Sequence, residues 1–302
     1  MSQPYLYEVN TSYLLTRNTS ERRFLLAPSK QLTEALLYCL ADAQARHPVP
    51  IHAFCVMSNH LHIVFTDPDG HAPLFVQAMN QHIARYVNCL RRRVGAMWEG
   101  GARPNYCVLP KVGDIFDKVV YTLANPVKAG LVEHHHLWPG AISTAADIAR
   151  GRIRTRRPHR YFSKTNDPVL LERDLILSPI PGASVLGVED YARLVADRVA
   201  AEEKRIALDR EARGLKWLGR KNCLAMNAFD APPTEWMRGS LHPTVSSGSD
   251  EARRARLQRQ KRFREKHLDA RREFLAGNRD VPFPEGTFYL RYYFGVPVEP
   301  FS

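Results

Sequence analysis

Ser58-Asn59-His60-Leu61-His62-Ile63-Val64-Phe65-Thr66 is the stretch whose reading decides the fold. Side chains on a β-strand alternate between faces. His60, His62 and Val64 therefore point one way, and Leu61, Ile63 and Phe65 the other. Three apolar residues on the second face anchor the strand to a core. Two imidazoles on the first stand close enough to share one metal ion. The plainer alternative is a pair of surface histidines on a half-exposed strand. Ile51 to Val56 reads as a preceding strand, Ser58-Asn59 as the turn, and Asp67-Pro68-Asp69-Gly70 as the stop after Thr66.

Outward from this hairpin, strands and helices alternate. Tyr13 to Arg17 (YLLTR) predicts a short strand. Pro28-Ser29 opens a helix on which Leu32, Ala35, Leu36, Cys39, Leu40 and Ala43 keep the spacing of one buried face, and His47-Pro48 ends it. A long helix starts at Pro73, with Phe75, Ala78, Met79, His82, Ile83, Tyr86 and Leu90 on its apolar side and Arg91-Arg92-Arg93 at its end, where cations suit the helix dipole. Asn105 to Leu109 predicts another strand, and about Asp114 to Ala124 another helix. The pattern predicts an α+β fold with one antiparallel sheet and helices packed on it.

Composition changes after Gly140. We divide the 302 residues into a domain at 1–140, an Arg/Pro-rich linker or arm at 141–187, and a basic, mainly helical C-terminal extension at 188–302. Within the extension, Glu189 to Arg213 and Asp250 to Ala276 predict helices, and 230–249 an irregular connection. GTFYLRYYF (Gly286 to Phe294) predicts an aromatic strand.

The net charge is +12. Ten Lys or Arg stand against three acids in 251–272, and six Arg against Asp147 in 146–160. Charge gathered in this way suits a polyanionic partner better than general solubility. No segment approaches a membrane span, and MSQPYLYEVN lacks the pattern of a signal peptide, so a cytoplasmic protein without a membrane partner is expected. Five scattered cysteines with no CxxC pair argue against a disulfide framework or a zinc ribbon, and buried free thiols are expected.

Two imidazoles do not complete a catalytic metal site, so a third ligand and the chemistry must come from elsewhere. Lys118 to Val132 reads KVVYTLANPVKAGLV. Tyr121 and Asn125 are four apart, hence on one face of a helix. Asn125 offers a hard carbonyl oxygen, and Tyr121 a nucleophile able to attack phosphorus. The alternative is a core tyrosine, with Asn125 capping the helix before Pro126.

VMSNHLHIVFTD followed by VVYTLANPVKAGLV resembles the single-tyrosine HUH transposases of small bacterial insertion sequences, and most nearly the REP-associated tyrosine transposases. The resemblance covers residues 13–140, and the tail, with LGRKNCLA and FPEGTFYLR, is similar to an extension in one bacterial subgroup. It implies a ferredoxin-like HUH domain, with His60, His62 and Asn125 holding Mg2+ or Mn2+ and Tyr121 as nucleophile. The implied substrate is single-stranded DNA with hairpin-flanked ends. Cleavage and rejoining would pass through a 5′-phosphotyrosine. Relatives work as monomers or as dimers, which leaves a homodimer open. The chain departs from the family where TRNTSERR replaces the familiar SRGN and Trp138-Pro139-Gly140 replaces WSS. Both departures bear on DNA recognition.

Further candidates are less specific. Arg85, Arg91, Arg92, Arg93, Arg253, Arg254 and Arg256 could reach DNA phosphates or form a solvated face. Glu133-His134-His135-His136 could be a metal tract or an exposed loop. His82 suits a core position. Tyr289, Tyr292 and Tyr293 could stack bases or pack in a core. A non-catalytic, domesticated DNA-binding protein on the same fold is the rival reading, and a metal-dependent hydrolase that does not use Tyr121 is a third.

Overall fold

The computed structural model describes residues 3–99, 103–158, 171–233 and 243–300. The predicted hairpin forms from β2 (Ile51–Val56) and β3 (His60–Asp67), with β1 (Thr11–Asn18) and β4 (Asn105–Val108) completing the sheet. The order is β2-β3-β1-β4 and every pairing is antiparallel. α1 (Lys30–Arg46) joins β1 to β2, α2 (Ala72–Leu90) joins β3 to β4, and α3 (Val112–Leu123) follows β4. This is the βαββαβ order of a ferredoxin-like α+β fold.

Local chemistry fixes the element ends. The Ser29 hydroxyl accepts from the Leu32 amide at 3.2 Å and caps α1. The Asp67 carboxylate accepts from the His71 and Ala72 amides at 2.9 and 2.8 Å, so the last residue of β3 starts α2. Leu15, Leu61, Ile63 and Phe65 lie fully buried on one sheet face. The Phe65 ring meets Phe75 of α2 at 5.6 Å. α3 packs across β2 and β3 on the other face, where the two histidines stand.

The residues expected as a linker or arm hold regular structure where they are described. Trp138 donates its indole N–H to the Val56 carbonyl at 3.0 Å, and the Ala141 carbonyl accepts from the Val56 amide at 2.8 Å. α5 (Ala145–Arg150) and the hairpin β5 (Arg152–Arg156) and β6 (Glu172–Ile176) follow, and the hairpin packs on α1. In β5 Ile153 and Thr155 turn inward between outward arginines. A period of two was hidden by the basic composition. Arg160 lies outside the described residues.

α4 (Asn125–Lys128) follows α3 directly, and the extension carries α6 (Val188–Ala212), α7 (Arg220–Leu224), α8 (Asp250–Leu275) and α9 (Tyr289–Phe294). The aromatic strand expected at 286–294 is corrected: its second half is the helix α9, ended by Gly295 at φ 64°. Phe288 stacks on Tyr292 and Tyr289 on Tyr293, with centroids 5.4 and 6.2 Å apart. Pairs four apart meet on a helix, which overrides the strand preference of aromatic residues. The irregular connection at 230–249 has neither helix nor strand in its described part before α8, and 234–242 lie outside it. Four cysteines are buried and Cys89 is exposed, all of them free thiols. No described helix is long and apolar enough to cross a membrane.

A polar row crosses the sheet. His52 donates from Nδ1 to the Ser178 carbonyl at 2.9 Å and accepts at Nε2 from the Thr66 hydroxyl at 2.8 Å, which in turn lies 2.7 Å from the Ser12 hydroxyl. Burial holds the His52 imidazole neutral, its pKa lowered to about 4 from 6.5. Protonation then favours the unfolded chain, so stability is complete above 6.5 and falls as pH drops toward about 4. Urea titrations across this window are expected to lose up to about 3 kcal/mol through His52, a component absent in His52→Asn.

Asp42 of α1 is fully buried and pairs with Arg46 at 2.9 Å, Arg173 of β6 at 2.9 Å and His82 of α2 at 3.3 Å. His82, whose pKa burial lowers, thus lies beside the buried Asp42–arginine cluster at the edge of the core. Asp42→Ala strands the half-buried cations, and denaturant unfolding is expected to show a loss of about 3 kcal/mol.

Candidate active site

β3 and the α3–α4 junction build the site. The strand period puts both imidazoles on the α3 face, with ring centroids 4.8 Å apart. The Tyr121 ring stands 5.5 Å from that of His62. The Asn125 side chain influences both groups, raising the His60 pKa and lowering that of Tyr121. α3 ends at Leu123 and Asn125 begins α4, yet both helical segments stay in register because Ala124 remains in the right-handed region at φ −77°, ψ −2°. Pro126 sits in the first turn of α4, where its missing N–H costs nothing.

Each imidazole has an outer partner. His62 Nδ1 is 2.9 Å from the Thr16 hydroxyl, directly across in the β1–β3 register. His60 Nδ1 donates to the Asn59 side-chain Oδ1 at 2.8 Å. Both Nε2 atoms are left for the site. Burial lowers the His60 pKa to about 4, aided by the charge of Arg22 and opposed by the Asn125 carboxamide. His62 is driven well below its ordinary value by burial, then by His60 and by the charge of Lys118. Neutral imidazoles with fixed second nitrogens are what a metal ion requires of histidine ligands. No three His, Cys, Asp or Glu lie together as a metal site among the described residues. The available set is therefore two imidazoles and the Asn125 amide oxygen, which fits a divalent ion that keeps open positions.

Burial raises the Tyr121 phenol, and the Asn125 carboxamide works against that rise. Lys118 and Lys128 hold their ammonium groups 5.2 and 5.0 Å from the Tyr121 ring centroid. These two lysines, Thr16 and Arg22 were not singled out from sequence. Lys118 and Lys128 sit three before and seven after Tyr121, a helical spacing that could have shown them. Arg22 acts on His60 through its charge, from the TRNTSERR turn in which Glu21 and Arg22 take left-handed φ values of 54° and 55°. Nothing in the composition of that turn announces this.

The candidate phosphate contacts separate. Arg91 donates to the Leu25 and Ala27 carbonyls, and Arg93 to Asn88 and the Ala96 carbonyl, so both brace the end of α2. Arg85 and Arg92 are exposed. Arg256 is half-buried and ion-paired with Glu8, tying α8 to the N-terminal segment. Arg253 pairs with Asp250 at 2.8 Å, and Arg254 is exposed. None of the seven belongs to the histidine–tyrosine cluster.

No family model matches the chain, and no curated protein matches it. Among solved structures, a REP-associated tyrosine transposase bound to a REP hairpin is 20% identical with a TM-score of 0.42, covering 56% of this chain and 95% of that one. A Deinococcus radiodurans protein assigned as a transposase is 21% identical with a TM-score of 0.29, covering 41% and 97%. At these values neither likeness carries a functional argument, which rests on the site itself.

The histidine tract is accounted for without a metal. Glu203 of α6 accepts from the His135 amide at 2.7 Å and bonds the His134 and His135 rings at 2.9 and 2.7 Å. Burial alone would raise its carboxyl, but these bonds prevail and lower the pKa to about 2. Glu203→Ala is expected to cost about 2 kcal/mol at pH 7 in denaturant unfolding. The difference from wild type shrinks as pH falls from 4.5 toward about 2.

Proposed function

We propose that the chain is a transposase of the single-tyrosine HUH type, cutting and rejoining single-stranded DNA through a 5′-phosphotyrosine on Tyr121. One observation carries the reading: the Tyr121 ring stands 5.5 Å from that of His62, itself 4.8 Å from His60, at the α3–α4 junction that also presents Asn125. A phenol then stands beside three donors that would hold a metal ion.

His60, His62 and Asn125 would hold Mg2+ or Mn2+, which when bound withdraws electrons from the scissile phosphate and offsets its charge. Tyr121 Oη attacks phosphorus in line. The phenolic proton departs, the P–O3′ bond breaks, and the 3′-oxygen leaves as a hydroxyl. The 5′-phosphate stays on Tyr121. Attack by a 3′-hydroxyl reverses the step and rejoins a strand, with the bond energy conserved. Lys118 and Lys128 favour the electron-rich phenolate through the ring face and, with Arg22, supply positive charge for the phosphate. Thr16 and Asn59 hold the imidazoles in orientation.

Incubation with labelled single strands carrying the gene's flanking ends and Mn2+ tests the reading. A covalent adduct is expected in the wild type and absent in Tyr121→Phe. Binding without an adduct would favour the non-catalytic DNA-binding protein, and cleavage that survives Tyr121→Phe would favour a hydrolase. Thr16→Val is expected to weaken Mn2+ binding about 10–100-fold, followed by the EPR signal of the free ion. Unchanged affinity would remove Thr16 from the site.

A further inference from the structure

α8 and the segment leading into α9 enclose a cleft of about 490 Å³ against the N-terminal segment, within the range of about 300–1,000 Å³ typical of ligand sites. Arg103, Arg264 and Arg271 line it together with Tyr5, Phe263 and Tyr289. No carboxylate is among its described lining residues. The cleft is anchored to the sheet through Tyr5, whose ring lies 5.8 Å from that of Tyr106 on β4. Tyr106 in turn meets Tyr13 at 5.7 Å, on the face turned away from His60 and His62. The cleft is therefore separate from the Tyr121 site.

Its outer lip is aromatic and open to solvent. Tyr289, Tyr292, Tyr293 and Phe294 are 44%, 54%, 50% and 75% exposed. The Tyr293 hydroxyl donates to Gln77 of α2 at 2.9 Å, which fixes the ladder against the domain. These rings pack on one another and on Tyr7, yet they remain 44% to 75% exposed beside the guanidinium groups of the cleft. Aromatic faces beside cations suit one chemistry above others: unpaired bases flanked by phosphates. Duplex DNA hides its base faces inside its own stack and offers these rings nothing to stack on.

We propose that this cleft and the α9 ladder form a second binding site for single-stranded DNA, distinct from the strand held at Tyr121. Phosphates would lie along Arg103, Arg264 and Arg271, and bases would stack on Tyr289 and the rings that follow it. The proposal shares with the transposase reading only the class of partner.

The test uses the full chain carrying Tyr121→Phe, so that no strand is cut, and measures anisotropy of a fluorescent oligo-dT. Arg264→Glu and Tyr289→Ala are each expected to weaken binding at least about tenfold, with unchanged thermal melting. Arg264→Glu should also lower the slope of affinity against salt by about one phosphate, which Tyr289→Ala should not. Arg272→Glu, on α8 outside the cleft, is expected to change binding less than twofold. Cross-linking with 5-iododeoxyuridine strands should label residues 287–294. Wild-type affinity in both cleft variants would overturn the proposal. So would equal competition by duplex DNA, preference for oligo-rU, or uptake by phosphatidylserine vesicles through the same residues. An absent adduct at Tyr121 leaves this result standing, and loss of cleft binding leaves the adduct test standing.

Discussion

The antiparallel register of β3 against β1 is the constraint on which the rest of the molecule depends. It sets Thr16 opposite His62 and Asn18 opposite His60, and it sends Leu61, Ile63 and Phe65 into the core beneath. A slip of one residue would exchange the two faces, burying imidazoles among leucines and turning the core strand out to water. The apolar face is therefore what holds the histidines in place. Their orientation then comes from neighbours supplied by the same register, because Thr16 is next to His62 only while the strands pair in this way.

α3 can lie on the histidine face because that face is otherwise short of partners. Its buried Val119 and Leu123 press onto the sheet. Tyr121 is on the side of the helix from which it reaches the imidazoles. The bend at Ala124 is mild enough to leave Asn125 one turn beyond the tyrosine. Packing thus brings together two segments separated by some sixty residues, and burial favours neutral imidazoles. The ammonium groups of Lys118 and Lys128 add a positive rim on the same side.

Most of the sheet was legible in the sequence because its strands carry a clean period of two and its helices a clean apolar face. His60, His62, Tyr121 and Asn125 were legible as residue types at telling spacings, and the structure brings them into one cluster. The remainder depended on tertiary partners. Arg256 reads as a surface cation until Glu8, far away in sequence, is found beside it. Arg91 reads as a phosphate contact until the Leu25 and Ala27 carbonyls claim it. The RIRTR segment reads as a basic arm because three arginines mask the inward Ile153 and Thr155. Aromatic residues at 288–294 satisfy both an alternating and a helical pattern, and only the pairs four apart decide for the helix. Thr16 carries no mark in sequence at all, since its role comes from the strand opposite.

The assignment of His60, His62 and Asn125 as one metal set is the central claim, and it can be tested without any assay of activity. Crystals of the protein soaked in Mn2+ would be measured at the manganese absorption edge. A single strong anomalous peak bounded by the two Nε2 atoms and the Asn125 oxygen is expected, and it should vanish in His62→Ala. A peak elsewhere with none at this cluster, or no peak under conditions where Mn2+ saturates the protein, would contradict the assignment and with it the role given to Tyr121.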